Sequence, residues 1–287
     1  MPHQSRIGAA SRQARGARRL LLGLAAAALL PAAPRAAEPR PGPEALAAHR
    51  AGYALSLDRA RDPAGIAGAR GVMVFEVLDA CEGWATRQRF TLVLTDRDGQ
   101  QIETASDYAT YETKDGRSLR FSLTQTTEGA VSQRIAGEAE LRADGSGRVR
   151  YTEPEAKEEA LPEGTLLPMR HTLRALQTAR EGGRMLIAPL FDGTSADGAQ
   201  DSTTVIAGWH APQANERFPA LSALASARMR VAFFDRQDTG GGGASAPSYE
   251  VGLRYWENGV ADELKMDFGD FVVDGRLEEL AILPSNC

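Results

Sequence analysis

The feature that most constrains what this chain can fold into is a period of two. In WATRQRFTLVLT, Trp84, Thr86, Gln88, Phe90, Leu92 and Leu94 fall on one side, with Arg87, Arg89, Thr91 and Val93 on the other. Side chains alternate across a β-strand, so this run reads as a strand with one buried and one wet face. SLRFSLTQ repeats the pattern, setting Leu119, Phe121 and Leu123 against Arg120, Ser122 and Thr124. SYEVGLRYW does the same with Tyr249, Val251, Leu253 and Tyr255.

Turn chemistry separates these runs. DRDGQ (96–100), KDGR (114–117), ADGSG (143–147), ENG (257–259) and VDGR (273–276) each supply Asp-Gly or Asn-Gly. These dipeptides accept positive φ and suit tight hairpins, so the pattern predicts an antiparallel meander. Strand-like runs lie near Tyr53, Val74, Phe90, Tyr108, Phe121, Ile135, Val149, Ile187, Val205, Val231, Val251, Met266, Val272 and Leu280. About a dozen strands in one sheet curl it into a barrel-like cup or fold it over.

One segment breaks the period. Pro168 is followed by MRHTLRALQTARE, with Met169, Leu173 and Leu176 at helical spacing and Gly182-Gly183 behind it. The spacing predicts a single helix that starts at the proline and stops at the glycines, placed to plug or cap an opening of the sheet. The acidic EPEAKEEALPEG (153–164) and the glycine-rich stretch of residues 240–248 read as loops. The second lacks the lysine and following helix of a phosphate-binding loop.

The N-terminus carries Arg6, Arg12, Arg15, Arg18 and Arg19, then the apolar run Leu20–Leu30, then Pro31 and small residues. That order is a secretory leader, and its apolar run is too short to span a bilayer. Residues 1–37 are expected to be cleaved, residues 38–48 to form a proline-rich lead-in, and 49–287 to form one β domain. No cysteine follows the apolar run to accept a lipid. The mature chain is expected to be periplasmic and not membrane-spanning. Its formal charge of −5 becomes more acidic still when six arginines and no acids leave with the leader. An acidic surface disfavours nucleic acid as a partner.

Only two cysteines are present, Cys81 and Cys287. In an oxidising compartment the preferred reading is one disulfide between them, and the alternative is two unrelated free thiols. A bridge of that span would tether a terminus that otherwise frays.

Catalytic and cofactor signatures are absent: the sequence contains no G-x-S-x-G, H-E-x-x-H, Walker loop, G-x-G-x-x-G or C-x-x-C, and no cofactor or metal set is expected. His49, His171 and His210 lie in three separate segments. Trp84, Trp209 and Trp256 could floor a ligand cleft, but each lies in or beside a strand-like run, which favours core packing. Phe191-Asp192-Gly193-Thr194 is a turn that could shape a site.

The segments HRAGYALSL (49–57), EVLDACEGWATRQRF (76–90), LPEGTLLPMRHT (161–172), LFDGT (190–194) and the C-terminal ENGVADELKMDFGDFVVDGRLEELAILPSNC resemble the EipB family of alphaproteobacterial cell-envelope integrity proteins. The spacing of the two cysteines is the most specific part of the likeness. The glycine-rich loop and the arginine-rich leader depart from it. The resemblance implies a periplasmic protein with a spiral-like, many-stranded β-sheet, a Cys81–Cys287 disulfide and a role in envelope integrity under stress. It implies no catalytic activity.

The expected fold is therefore all-β: a many-stranded antiparallel sheet curled into a spiral or cup, interrupted by one helix and closed by one disulfide. The expected function is that of a noncatalytic scaffold or binding protein of the envelope, with a periplasmic protein partner or a lipid-like ligand. A lipid or lipoprotein carrier is the alternative, and a hydrolase the weakest reading. Trp84, Met169, His171, Leu173, Leu176 and Asp192 are the candidate ligand or partner contacts.

Overall fold

The computed structural model describes residues 46–236, 246–285 and 287. The leader, most of the proline-rich lead-in and residues 240–245 of the glycine-rich loop lie outside the described residues. Packing begins earlier than the sequence suggests. Leu46 and Ala48 are already buried, and the Ala47 N–H donates to the Asn258 carbonyl at 2.9 Å.

The chain runs through β1 (His49–Ala60), β2 (Ile66–Asp79), β3 (Gly83–Asp96), β4 (Gln101–Thr113), β5 (Ser118–Thr127), β6 (Ala130–Leu141), β7 (Gly147–Glu153) and β8 (Lys157–Leu161). The helix α1 (Pro168–Arg180) follows. Then come β9 (Met185–Leu190), β10 (Gln200–His210), β11 (Ser226–Phe234), β12 (Tyr249–Trp256), β13 (Ala261–Asp267) and β14 (Phe271–Ile282). All fourteen described strands join one antiparallel sheet in the order β8-β7-β6-β5-β4-β3-β2-β1-β14-β13-β12-β11-β10-β9. The sheet is curled but not closed, with β8 and β9 at its two edges. No helix of the described residues is long and apolar enough to cross a membrane.

Sequence neighbours pair throughout except at one place. β1 pairs with β14 from His49↔Ile282 to Ala60↔Phe271, and with β2 on its other side. This pairing joins one meander, β1–β8, to another, β9–β14. The alternation read from the sequence sets the buried face: Ala51, Tyr53 and Leu55 of β1, Trp84 and Leu92 of β3, and Leu119, Phe121 and Leu123 of β5 are all buried. The outward residues pair by charge across strands, as in Arg50 with Glu76 and Arg120 with Glu138.

Four of the five predicted glycine turns are turns, with positive φ at Gly99, Gly116, Gly145 and Gly259. The fifth is not. Asp274-Gly275 lies inside β14, so the runs near Val272 and Leu280 are a single strand. A Cβ at Gly275 would stand 2.9 Å from the Leu264 Cβ and 3.4 Å from Leu55 Cδ2, so glycine serves a close approach between strands there. The acidic loop expected over 153–164 also needs correction. Its middle, Lys157–Leu161, is strand β8, which pairs with β7 from Gly147↔Leu161 to Tyr151↔Lys157. Charge suits a short edge strand, which water reaches on its open side.

Cys81 and Cys287 are bonded, with Cα atoms 5.3 Å apart. Cys81 sits not in a strand but in the turn between β2 and β3, at φ 64°. Asp79 organises that turn: it accepts from the Cys81 N–H at 3.0 Å and from the Ser285 hydroxyl at 3.0 Å, and pairs with Lys114 at 2.7 Å. The C-terminal tail thus passes the end of β1 to reach the β2–β3 turn. The linked residues are 206 positions apart, for which the loss of chain entropy in the unfolded state gives up to about 5 kcal/mol. A Cys81→Ser variant is expected to melt at lower temperature and to be cut faster by protease at its C-terminal tail; thermal unfolding superimposable on wild type would contradict this.

Candidate functional site

Opposite ends of the curled sheet are filled differently. At the end bearing the disulfide, α1 lies inside. Pro168 opens the helix, but its N-cap residue, Leu167, has no side-chain oxygen to offer the free N–H groups. Glu112 of β4 supplies the missing acceptors, taking the Met169 N–H at 2.7 Å and the Arg170 N–H at 2.9 Å. The carboxyl is buried, which pushes its pKa up to about 8, against the pull of those two N–H groups. Gly182, at φ 81°, ends the helix.

The candidate contacts from the sequence separate here. Leu173 and Leu176 are buried in the main hydrophobic cluster together with Trp84, and Met169 packs against it. Parts of Leu173 and Leu176 also line a 240 Å³ pocket with Trp209 and Leu224. The Trp84 ring carries the Lys114 ammonium 5.0 Å above its centroid. His171 is buried and shares a 3.0 Å hydrogen bond with the Thr204 hydroxyl. Asp192 stands apart in the turn after β9. Its carboxylate accepts the Thr194 N–H at 2.9 Å and the Thr194 hydroxyl at 2.7 Å, while its carbonyl accepts the Tyr108 hydroxyl. A Cβ on Gly193 would collide with the Phe121 ring at 2.4 Å, so only glycine fits this turn against the sheet.

The other end of the sheet holds a cavity of about 410 Å³ that sequence reasoning did not assemble. Along β3, Trp84 marks the helix end; at about 3.3 Å per residue, Leu92 lies roughly 26 Å further on. One wall is apolar: Phe90, Leu92 and Leu94 of β3, with Met266, Phe268 and Phe271 around the β13–β14 turn. The other wall is neutral and hydrogen-bonding, made by Gln88, Thr104, Ser106, Gln125, Gln133 and Thr194. No charged side chain lines it among the described residues. Phe233, Tyr249, Phe268 and Phe271 form a continuous aromatic row, with successive centroids 5.8, 5.3 and 5.0 Å apart. Burial pushes the Tyr108 and Tyr249 hydroxyls up, so both remain neutral. Phe268 is 38% exposed at the rim. Such a site accommodates an apolar chain carrying an uncharged polar group.

The polar wall had a weak sequence signal. The inward side of β4 is Thr104, Ser106, Tyr108, Thr110 and Glu112, a face without apolar periodicity. Its orientation is set by pairing with β3, where Leu92 faces Thr104, Phe90 faces Ser106 and Thr86 faces Thr110. The buried hydroxyls of Thr86 and Thr110 satisfy each other at 2.6 Å.

A single spiral sheet holding a helix at one end and a cavity at the other defines the class of protein. The sequence profile described as EipB-like matches residues 41–284, and the chain belongs to that family. It is 32% identical over 243 residues to the cell envelope integrity protein EipB of Brucella abortus, covering 83% of this chain and 84% of the relative. The crystal structure of a β-barrel-like protein of a domain of unknown function, also from Brucella abortus, superimposes with a TM-score of 0.75. It is 30% identical, and the match covers 83% of this chain and 99% of that one.

Two consequences are measurable. Burial lowers the His171 pKa from 6.5 to about 4, so the fold favours the neutral ring. That contribution is full above pH 6.5 and is lost as pH falls toward 4, on the order of 3 kcal/mol. His49, also buried, is lowered in the same direction. Glu112, raised from 4.5 to about 8, acts with the opposite sign over part of this window, so the test is a difference: in urea titrations His171→Gln should gain stability relative to the wild type as pH falls from 6.5 to 4. At the helix start, Glu112→Ala should cost about 1–3 kcal/mol at neutral pH by leaving two N–H groups unsatisfied; a variant as stable as wild type would remove the capping role.

Proposed function

We propose that the chain is a noncatalytic binding protein of the periplasm that helps keep the cell envelope intact. The role of its relative, a cell envelope integrity protein, supports the setting, and the arginine-rich leader supports export. The observation that carries the binding activity is the uncharged cavity between β3–β6 and the β13–β14 turn. Two buried groups capable of acid–base chemistry are held in structural bonds, Glu112 at the helix start and His171 on Thr204. These bonds support a noncatalytic reading.

The apolar wall and aromatic row favour a second, narrower reading, in which the cavity shelters the acyl chain of a lipid or lipoprotein in transit. Native mass spectrometry of protein drawn gently from the periplasm separates the two. A retained lipid supports the carrier, whereas a bare protein that still takes up an apolar probe supports a binding protein for another ligand. Nile red should brighten on binding to the purified protein. Phe268→Glu, which places a charge at the rim, should weaken that binding by at least about fivefold with the fold retained. A protein that arrives bare and gives no Nile red signal would overturn the cavity as a binding site.

A further inference from the structure

The sheet does not close, and its seam is built unlike the rest of the surface. Past β8 the chain crosses to β9 through Leu166 alone, whose N–H donates to the Pro189 carbonyl at 2.9 Å and whose carbonyl accepts the Phe191 N–H at 3.0 Å. Below that bridge, β9 pairs only with β10. Backbone groups alternate sides along a strand, and Pro189 and Phe191 use theirs toward the seam. Ile187 and Met185 therefore point their N–H and C=O groups the same way, onto an edge with no strand beside it. Their side chains are exposed as well, Ile187 at 69% and Met185 at 54%, next to Val205 at 49% on β10.

The groove along this edge has a volume of about 400 Å³. Four arginines converge on it: Arg117 and Arg142 from the β4–β5 and β6–β7 turns, and Arg170 and Arg174 from α1. Many arginines elsewhere on the sheet are matched with carboxylates, as Arg87 is with Asp107, Arg228 with Glu263 and Arg230 with Glu250. In the groove the matching is incomplete. Among the described residues Arg117 and Arg174 have no carboxylate partner, whereas Arg170 interacts with the buried Glu112 carboxyl and Arg142 with Asp144 and the Ser146 hydroxyl. The two acids that line the groove are turned into their own loops. Asp115 accepts from the Thr113 hydroxyl and the Arg117 N–H, and Asp144 from the N–H and hydroxyl of Ser146. The Arg170 stem is held by the β4–β5 turn, for a Cβ at Gly116 would lie 3.1 Å from it. In a chain of net charge −5, four arginines against two aspartates leave an excess of positive charge beside an open strand edge.

We propose that this seam is a docking site for an extended acidic peptide segment of a partner protein, which adds to the free edge of β9 and sets its carboxylates against Arg117, Arg142, Arg170 and Arg174. A simple anion would use only the guanidinium groups. An added strand also satisfies the Met185–Ile187 backbone and covers the apolar side chains beside it. Main-chain hydrogen bonds supply affinity in such additions, and side chains supply selection. Pro189 has no N–H to offer, which limits the paired stretch to the part of β9 before it. The site is independent of the cavity reading.

The test is fluorescence anisotropy with the full mature chain and a labelled hexapeptide alternating glutamate and valine, beside the same peptide with lysine for glutamate. The glutamate peptide should bind and the lysine peptide should not. Arg174→Glu and Arg117→Glu, both at exposed positions, should each weaken binding by about tenfold, and added salt should weaken it further. Ile187→Pro, which removes the outward N–H while leaving every arginine, should abolish binding with the circular dichroism spectrum unchanged. A hexapeptide N-methylated at alternate residues gives the same check without altering the protein. Equal binding of the two peptides, or no binding at millimolar concentration, would overturn the proposal. So would full binding by both the Ile187→Pro protein and the N-methylated peptide with displacement by inorganic phosphate, an outcome that leaves an anion site only.

Discussion

The structure depends on the pairing of β1 with β14. Every other pairing between the strands joins sequence neighbours, most of them through short turns. This one closes a span of more than two hundred residues, and without it the sheet would be two separate meanders, each with an exposed apolar face. Bringing such distant segments together is entropically costly and is offset only once the face is covered. Two further contacts reinforce the junction. The Tyr53 hydroxyl of β1 donates to the Ala261 carbonyl at 2.8 Å, and the disulfide ties the tail beyond β14 to the β2–β3 turn. The bridge thus sits where the sheet is least supported by local connections.

Once the sheet is joined, its curl creates an interior that the inward side chains do not fill evenly. At the disulfide end α1 supplies the missing volume, with Leu173, Ala175, Leu176 and Ala179 in the core and Glu112 anchoring its first turn. At the opposite end there is no second α-helix among the described residues. The inward side of β4 is hydroxyl-bearing there, facing aromatic groups from β12 and the β13–β14 turn. The cavity follows from this asymmetry: one end is packed by a helix, while the other is left with two walls of different polarity.

Membership in the EipB-like family and the likeness to the Brucella abortus structure agree with the spiral sheet, which places the two regions of interest in distinct environments. The cavity is uncharged, with an apolar and aromatic wall, and suits the apolar part of a ligand. The seam is open, basic and edged by unpaired backbone, and suits a chain rather than a small molecule. A protein that holds a ligand inside and a partner at its seam would connect both to one sheet, because β3–β6 contribute to the cavity and the β4–β5 and β6–β7 turns carry two of the seam arginines.

Much of the architecture was legible in the sequence, and the limits have physical causes. Strict alternation around Phe90, Phe121 and Val251 determined strands and their buried faces, because the side-chain period of a strand is two. Pro168 and Gly182 determined the helix, since one is preset for a first turn and the other admits positive φ. The resemblance supplied the spiral and agreed with the pairing of Cys81 with Cys287. Local signals misled where tertiary contact decides. Asp274-Gly275 has the composition of a turn, yet the packing of Leu264 and Leu55 keeps it in a strand. The acidic residues 157–161 pair as a strand because β7 offers an open edge. Glu112 looked like any other carboxylate until the fold placed it at a helix start 57 positions away. The cavity wall and the arginine seam share this origin: their residues come from separate strands and turns, each unremarkable alone, and only the curl of the sheet brings them together.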